Sequence, residues 1–325
     1  MKKKALDEFP YGEAELENIP CNLCGSLDHK ILAKRDRNNI EISTVICKRC
    51  GLIFLNPRMT RTWYQKYYQF EYRRQVESYG SKESASLDDL FDWSKKHGRF
   101  LSTLLGQYLV SGGLTIEAGS SVGGILKGLN PFLKGEVIGI EPSKLEAEYA
   151  IRNGIPTLPV FFEDIGTNDI GKLKGATNIF CVQTLNHLQD PKGFFDWAYN
   201  SLVDNGRLVL EVKNFRHHAK KVGNLRQAIQ IDHTYMFLPE TLENFIKACG
   251  FEIIFKDIDE YKSKKELENQ GKPDSHMRFV AVKSERGKYK ISYDYKKIKK
   301  TINFLKIYLN CFFNYRLPRK VKSLL

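Results

Sequence analysis

Four cysteines near the N-terminus have the spacing of a metal site. Cys21 and Cys24 form one Cys-x-x-Cys hook, Cys47 and Cys50 form a second, and 22 residues lie between the two hooks. Each hook can point two thiolates at one ion, and a glycine beside each hook permits the left-handed backbone that such turns use. The spacing predicts a closed tetrahedral Zn²⁺ site with a structural role. Two disulfides, or four unrelated thiols, are the alternative.

Acidic and small residues further along the chain indicate a second kind of chemistry. A turn that contains Gly119 and Gly123 follows an apolar segment that carries Glu117, and Glu141 ends the next apolar segment. Small residues let the backbone approach a ligand, and a carboxylate one strand over can accept hydrogen bonds from the two hydroxyls of a ribose. Glu117 would disfavour a pyrophosphate and suits a cationic ligand. The pattern predicts a nucleoside-containing cofactor, although Glu141 could instead be a merely polar strand end.

The segments that must position these residues alternate between strands and helices. Strands are predicted at Leu114 to Ala118, Val137 to Glu141, Thr157 to Val160, Asn178 to Val182, Arg207 to Val212, Phe251 to Asp257 and Met277 to Lys283. Helices are predicted at Lys144 to Asn153, Gly193 to Leu202 and Pro239 to Cys249. This alternation predicts an α/β fold, a Rossmann-like parallel sheet of seven strands with helices on both faces. Ligands of such sheets lie beyond the carboxyl ends of the strands.

Composition divides the chain into four regions. They are a cysteine-containing zinc module at residues 1–60, an aromatic-rich helical region at 61–110, the α/β domain at 111–285 and a basic tail at 286–325. A chain of 325 residues can hold about two domains. We interpret the aromatic group from Trp63 to Tyr72 as packing against the sheet domain, and Tyr72 is the candidate if one of them reaches a substrate.

The basic tail holds most of the net charge of +13, with twelve lysines and arginines against Asp294 alone. No broad basic face is therefore indicated across the rest of the chain, which argues against nucleic acid as a partner. Apolar residues at spacings of three and four predict an amphipathic basic helix in the tail, namely Tyr295, Ile298, Ile302, Leu305, Leu309 and Phe312. This helix could pack within the protein or in a homodimer, or it could lie on an anionic membrane surface.

The sequence predicts a cytoplasmic protein. The start of the chain, Met1 to Glu8, turns acidic without the apolar region of a secretory signal. No apolar run approaches the roughly 18 residues that a membrane span needs. Three single cysteines in apolar surroundings fit a reducing compartment. If the tail contacts lipid, we expect the protein to be peripheral to the inner face of the membrane.

At the glycine turn, the sequence resembles the class I S-adenosylmethionine-dependent methyltransferases. Their first motif is acid-x-Gly-x-Gly-x-Gly, and their second strand ends in an acid that binds ribose. Gly119 and Gly123 match two motif glycines, and Ser121 takes the place of the middle one. The resemblance implies S-adenosylmethionine as the cofactor, with the turn from Gly119 to Gly123 at its methionine portion, Glu117 beside this cationic ligand and Glu141 at its ribose.

Two further segments extend this resemblance. Phe161 to Ile165 looks like the family's adenine-side segment, which implies Glu163 or Asp164 in cofactor binding. The stretch that begins at Gln183 looks like the motif after the fourth strand, with His187 kept and the usual acid replaced by asparagine. Gln183 is the candidate cofactor contact there. Together with the cysteine module and its Cys-Gly-Leu-x-Phe-Leu-Asn-Pro-Arg ending, the chain is similar to a subgroup that acts on sugars, including the nucleotide-sugar C-methyltransferases.

Methyl transfer to a hydroxyl or a carbon acid requires a base, for which histidine is suited near neutral pH. His187 after the fourth strand and His233 after the fifth are the candidates. Asp232 and His233 match the acid and histidine of the sugar enzymes' Tyr-x-Glu-His segment, with Gln230 where their tyrosine stands. A structural hydrogen-bonding role is the alternative for either histidine. His217 and His218 are expected to be solvated loop residues.

The favoured function is methylation of a nucleotide sugar or of a surface-polysaccharide precursor with S-adenosylmethionine. An RNA methyltransferase that grips RNA with its zinc module and tail is one alternative. It is disfavoured because basic and aromatic residues do not interleave around the catalytic strands, and because an Asn-Pro-Pro-Tyr type motif is missing after the fourth strand. A non-catalytic binding protein on the same fold is the other alternative, motivated by Ser121, Asn186 and Gln230.

Overall fold

The strands found among the described residues form one large sheet and two small ones. The structure is a computed structural model that describes residues 9–72, 86–166, 171–222, 224–259, 275–294 and the positions 297, 298, 300, 301 and 303. Its strands are β1 (Leu16–Glu17), β2 (His29–Arg35), β3 (Glu41–Cys47), β4 (Ile53–Leu55), β5 (Arg58–Met59), β6 (Leu114–Ala118), β7 (Glu136–Ile140), β8 (Thr157–Leu158), β9 (Ala176–Val182), β10 (Leu202–Lys213), β11 (Tyr235–Met236), β12 (Phe251–Ile258) and β13 (His276–Lys283).

The helices of the described residues lie mostly between these strands. They are α1 (Arg61–Phe70), α2 (Leu87–Leu105), α3 (Gly124–Leu133), α4 (Lys144–Arg152), α5 (Pro191–Ser201), α6 (Phe215–Val222), α7 (Leu225–Ala228) and α8 (Pro239–Ala248). In the described ranges, no helix is both long and apolar enough to cross a membrane.

The large sheet has seven strands in the order β12-β13-β10-β9-β6-β7-β8. The seven predicted strands are all present, so the Rossmann-like α/β prediction is confirmed. The prediction of a wholly parallel sheet is wrong, because β13 runs antiparallel to both β10 and β12.

The cysteine region is joined to the α/β region by a shared sheet. The strand order of this small sheet is β11-β4-β3-β2. Strands β2 to β4 belong to the cysteine region, whereas β11 follows β10 of the large sheet in the sequence. Tyr235 of β11 pairs with Phe54 of β4, and their rings stack at 6.1 Å. Since β11 begins two residues after His233, the cysteine region supports the segment that carries Asp232 and His233.

Helix α2 packs closely on α3 and brings side chains to the edge of the large sheet. A β-carbon on Gly98 would lie 2.3 Å from the carbonyl oxygen of Ile125, and one on Gly128 would lie 2.3 Å from that of Lys95. Only glycine therefore permits this approach at both positions.

Of the predicted tail helix, Ile298 is buried over Gly51. The other five apolar residues of that stripe fall outside the described residues.

Candidate functional site

A cavity of about 310 Å³ lies beyond the carboxyl ends of β6, β7, β8 and β9. This is the position at which parallel α/β sheets bind ligands. Helix α2 covers one side of the cavity through Leu90, Trp93 and Ser94. The lining includes most of the residues predicted from sequence, namely Tyr72, Glu117, Gly119, Ser121, Glu141, Glu163, Gln183 and His187.

The turn after β6 keeps a tight left-handed path. Gly119, Ser121 and Gly123 have φ angles of 74°, 48° and 77°. A β-carbon on Gly119 would lie 2.3 Å from Oγ1 of Thr184, so that position requires glycine. Ser121 adopts its strained conformation with its hydroxyl directed sideways, where Oγ donates to Oε2 of Glu146 over 2.6 Å. Gly123 ends the turn as the N-cap of α3.

Glu141 is held by both sides of the cleft. Its Oε2 accepts from the backbone N–H of Ser121 and its Oε1 from that of Ser143, each over 2.8 Å. Each oxygen has a further lone pair with which to accept a ribose hydroxyl. Burial, and next the charge of Glu146, raise the pKa of Glu141 to about 8.

Glu117 has neither a hydrogen-bond donor nor a cation beside it within the described residues. Its side chain is fully buried and both carboxylate oxygens lack a partner there. Burial, and next the charge of Glu141, raise its pKa well above the usual range. Four glutamate side chains line this cavity, and three of them, Glu117, Glu141 and Glu146, lie around the turn after β6. A cationic ligand with two vicinal hydroxyls fits them, and S-adenosylmethionine carries an ammonium, a sulfonium and a ribose.

The two acids predicted on the adenine side face different ways. Glu163 lines the cavity, and its Oε1 accepts from the backbone N–H of Gln189 over 3.0 Å. The carboxylate of Asp164 is half exposed and faces α1, where it pairs with Arg61 and accepts from Nε2 of Gln65 over 3.0 Å. Of the two acids, Glu163 thus lines the cavity and Asp164 does not.

Gln183 is fixed by a buried charged group that sequence reasoning missed. Its Nε2 donates to Oε1 of Glu211 over 3.0 Å, and His97 and Arg278 also contact this carboxylate, over 2.9 Å and 2.6 Å. Burial would raise the pKa of Glu211, but the hydrogen bond from His97 and the nearby cationic side chains lower it to about 2. The sequence does carry a signal for this group, because Glu211 in β10 and Arg278 in β13 are charged residues within apolar strands.

The two histidines predicted as bases lie together at one side of the cavity. Nδ1 of His187 is 3.7 Å from Oδ2 of Asp232, and the ring centroids of His187 and His233 are 4.8 Å apart. Burial lowers the pKa of both histidines, and that of His233 lies well below its usual range. Both are therefore neutral near pH 7 and can accept a proton. The ring of Tyr72 lies 6.0 Å from that of His187.

The aromatic helix α1 contributes both to packing and to the cavity. Tyr64 and Tyr67 are fully buried, as the packing interpretation predicted. Tyr68 in α1 and Tyr72 just beyond its end instead reach the cavity, and the hydroxyl of Tyr68 lies 3.1 Å from Nδ1 of His187. Tyr68 was missed, although Tyr64, Tyr68 and Tyr72 recur at the helical spacing of four that places residues on one face.

The prediction that His217 and His218 are solvated loop residues is wrong. Both lie in α6, His217 is buried and His218 is half-buried. The helix forms because Asn214 lies just before it, and Oδ1 of this residue accepts from the N–H of His217 over 3.2 Å. Burial, and next the nearby lysines and arginine, lower the pKa of His218 to about 3.

The four N-terminal cysteines converge on one point. Sγ of Cys21 lies 3.4 Å from that of Cys50, Sγ of Cys24 lies 3.5 Å from that of Cys47, and all four lie within 4.8 Å of one another. All four thiols are free of disulfides. Zinc–sulfur bonds of about 2.3 Å in a tetrahedron would place the sulfurs roughly 3.8 Å apart, so the cluster fits Zn²⁺.

Comparison with known proteins bears on the identity of the chain. A family model described as a methyltransferase domain matches residues 90–255. No curated protein matches the sequence. Among solved structures, the chain is similar to an S-adenosylmethionine-dependent methyltransferase from Clostridium acetobutylicum, with 13% identity, 68% of this chain and 99% of that chain covered, and a TM-score of 0.44.

Two other solved structures show similar coverage. A magnesium protoporphyrin IX methyltransferase from Synechocystis with bound S-adenosylmethionine has 14% identity over 69% of this chain and 96% of that one, with a TM-score of 0.44. A plantazolicin methyltransferase in complex with S-adenosylhomocysteine has 12% identity. The match covers 68% of this chain and 93% of that one, with a TM-score of 0.47. The family model covers more than half of the sequence. The chain therefore belongs to the methyltransferase-domain family and is an S-adenosylmethionine-dependent methyltransferase.

Proposed function

We propose that this enzyme methylates a sugar, as a nucleotide sugar or a surface-polysaccharide precursor, with His233 as the base on the acceptor side. The observation that carries the proposal is the group formed by His187, Asp232 and His233 beside the cavity. In the same proposal, Cys21, Cys24, Cys47 and Cys50 hold a structural Zn²⁺. The resemblance of the cysteine module and of the Asp232-His233 pair to the sugar enzymes supports the choice of acceptor.

The arrangement suits removal of a proton from an acceptor hydroxyl or carbon acid. When bound, S-adenosylmethionine supplies an electrophilic methyl group. A neutral His233 can take the proton that the acceptor loses. The carboxylate of Asp232 lies 3.7 Å from Nδ1 of His187 and within 4.8 Å of a ring nitrogen of His233, so it can stabilise the imidazolium that forms. Tyr72 and Tyr68 flank His187 and can hold the acceptor against the histidines.

Methyl transfer to a panel of acceptors tests this proposal. Zinc-loaded protein is incubated with methyl-labelled S-adenosylmethionine and with nucleotide sugars, sugar phosphates, free glycosides or bulk RNA. We expect label in at least one sugar fraction and none in RNA. Label in RNA alone would favour the RNA methyltransferase, whereas absence of donor binding in calorimetry would favour a non-catalytic binding protein.

Glu141 is expected to anchor the cofactor through its ribose. Replacing Glu141 by alanine removes hydrogen bonds to a charged group, each of which contributes about 1.5–3 kcal/mol. The affinity for S-adenosylmethionine should therefore fall by about tenfold or more. Isothermal titration calorimetry measures the change, and Asp164→Ala is the control because its carboxylate faces α1. An unchanged affinity for Glu141→Ala would remove the ribose assignment.

Donor binding should be linked to proton release. The raised pKa of Glu141, about 8, leaves this carboxyl largely protonated at pH 7. A cationic donor and its hydroxyls favour the charged form, so the pKa of Glu141 falls on binding and a proton leaves. Affinity should then rise with pH up to about 8. Calorimetry in two buffers of different ionisation enthalpy measures the release, and Glu141→Gln should release less; equal release by both proteins would contradict this.

A further inference from the structure

One buried carboxylate, that of Glu211, joins two walls of the cavity to the centre of the large sheet. Its Oε1 lies 2.9 Å from Nε2 of His97 in α2 and accepts from Nε2 of Gln183, just after β9, over 3.0 Å. Its Oε2 accepts from Nε of Arg278 in β13 over 2.6 Å. Only 1% of the Glu211 side chain is exposed. Glu211 is therefore fixed by groups from three different elements.

Arg278 anchors this carboxylate and is itself held from its other side. Its side chain is fully buried, and Nη1 donates to Oδ2 of Asp257 over 3.0 Å and to Oδ1 of Asp259 over 3.1 Å. The guanidinium also lies 5.4 Å from the centre of the Phe100 ring. An apolar pair of similar volume often stabilises a core as well as a buried ion pair does. Core stability alone therefore gives no reason for a charged pair beside the cavity.

Gln183 is the residue through which Glu211 reaches the cavity lining. Its backbone is left-handed, with a φ of 55°, and its N–H donates to the carbonyl of Glu211 over 2.7 Å. Gln183 lines the cavity. The next residue, Thr184, packs against Gly119, where a β-carbon would lie 2.3 Å from the Thr184 hydroxyl oxygen. Gln183 is thus held at the turn after β6, the turn expected to meet the methionine portion of the cofactor.

The charge of Glu211 decides which end of the Gln183 amide remains available to a ligand. Burial opposes this charge, but the hydrogen bond from His97 and the nearby cationic side chains lower the pKa of Glu211 to about 2. A carboxylate only accepts hydrogen bonds, so the NH₂ end of the amide must face it. The carbonyl oxygen Oε1 of Gln183 has no donor among the residues that the structure describes. The amide therefore offers a ligand a hydrogen-bond acceptor and not a donor.

The same carboxylate also holds the helix that covers the cavity. His97 lies one turn beyond Trp93 in α2, and their rings stack at 5.6 Å with an angle of 8° between them. Trp93 lines the cavity. A change at Glu211 can therefore act on the cavity through α2 as well as through Gln183. The two routes differ in one respect, since only the second requires the amide of Gln183.

We infer that Glu211 is a positioning residue for cofactor binding, which orients the amide of Gln183 so that Oε1 accepts a hydrogen bond from the ammonium of S-adenosylmethionine. The ammonium is the hydrogen-bond donor that the amino-acid arm of this cofactor carries, and an amide oxygen is an acceptor with two lone pairs. The inference goes beyond the proposed function, because it concerns the cofactor and holds whatever the acceptor is.

Isothermal titration calorimetry with S-adenosylmethionine tests the positioning role in the full-length, zinc-loaded protein. Glu211→Gln and Gln183→Met should each weaken binding by about tenfold, since each removes an oriented hydrogen bond to a charged group. The double variant should bind within about twofold of Gln183→Met, because Glu211 acts through that amide. Losses that add in the double variant would overturn the inference and assign the effect to α2 or to the fold. Glu136→Gln, exposed at the start of β7, should bind like the wild type.

Methylthioadenosine, which keeps the adenosine and lacks the amino-acid arm, gives a readout that does not require Glu211→Gln to fold. Gln183→Met should bind it as tightly as the wild type does, while its affinity for S-adenosylmethionine falls by about tenfold. An unchanged affinity for S-adenosylmethionine, or an equal loss for both ligands, would overturn the inference. No acceptor enters these titrations, so their failure would leave the sugar assignment standing, and failure of the sugar assignment would leave their result unaffected.

Discussion

Replacing His233 by alanine should lower turnover by about a hundredfold or more, since a positioned general base contributes about 10²–10⁴ to rate. The affinity for S-adenosylmethionine should stay unchanged, because His233 is not among the residues that line the cavity proposed for the cofactor. Turnover under saturating donor and calorimetric affinity measure the two quantities. Lys172→Gln is the control, since Lys172 lies on an exposed turn and does not line the cavity.

The pH profile gives a second readout of the same prediction. The pKa of His233 lies well below 6.5, so its neutral form persists as the pH falls through that value. Wild-type turnover should therefore extend below pH 6.5 without the loss that an ordinary histidine base would cause. Unchanged turnover in His233→Ala would instead assign the base to His187, or indicate a reaction that needs no protein base.

The sequence predicted the strands of the large sheet well because each is a short apolar run with turn residues at its ends. It predicted neither the antiparallel direction of β13 nor its position between β10 and β12. An apolar run carries no information about the direction of a strand or about its neighbours. Nor did it predict β11, which is only two residues long and pairs with β4 across about 180 residues of chain. Local patterns specify elements, whereas such a pairing depends on the assembled core.

The site was predictable where chemistry depends on residues next to a strand end. Glu117, Gly119 and Glu141 follow from one turn and one neighbouring strand, and all three line the cavity. Tyr68 and Glu146 were not found, because each reaches the cavity from a helix whose placement only tertiary packing determines. Their contacts, with His187 and with Ser121, join segments that are far apart in the sequence.

Ser121 takes the place of the middle motif glycine, and packing decides whether its side chain obstructs the cavity. A β-carbon at this point could block the methionine portion of the donor. The left-handed backbone instead directs Oγ toward Glu146, and the backbone N–H remains at Glu141. The strain of a non-glycine residue in this conformation costs about 1–3 kcal/mol, which these two hydrogen bonds can offset. The sequence shows the substitution but not this side-chain direction.

The cysteine region is expected to affect catalysis although it lies apart from the cavity. Its first hook rests on the start of α5, where Nδ2 of Asn22 donates to Oδ1 of Asp190 over 2.9 Å. Its strand β4 pairs with β11, which begins two residues after His233. A structural zinc site contributes about 10–16 kcal/mol to the folding of small zinc modules. Loss of the ion should therefore disorder β4 and release the segment that carries the base.

We accordingly expect Cys47→Ser to lose zinc and at least about 99% of turnover, comparable to loss of the base itself. S-adenosylmethionine affinity should change by only a few-fold, because the turn after β6 and Glu141 belong to the large sheet. Metal analysis, turnover and calorimetry on the same preparation measure the three quantities. Cys249→Ser is the matched control, since this buried cysteine lies outside the four-cysteine cluster. A zinc-free Cys47→Ser protein with full turnover would show that the base is positioned without the cysteine region.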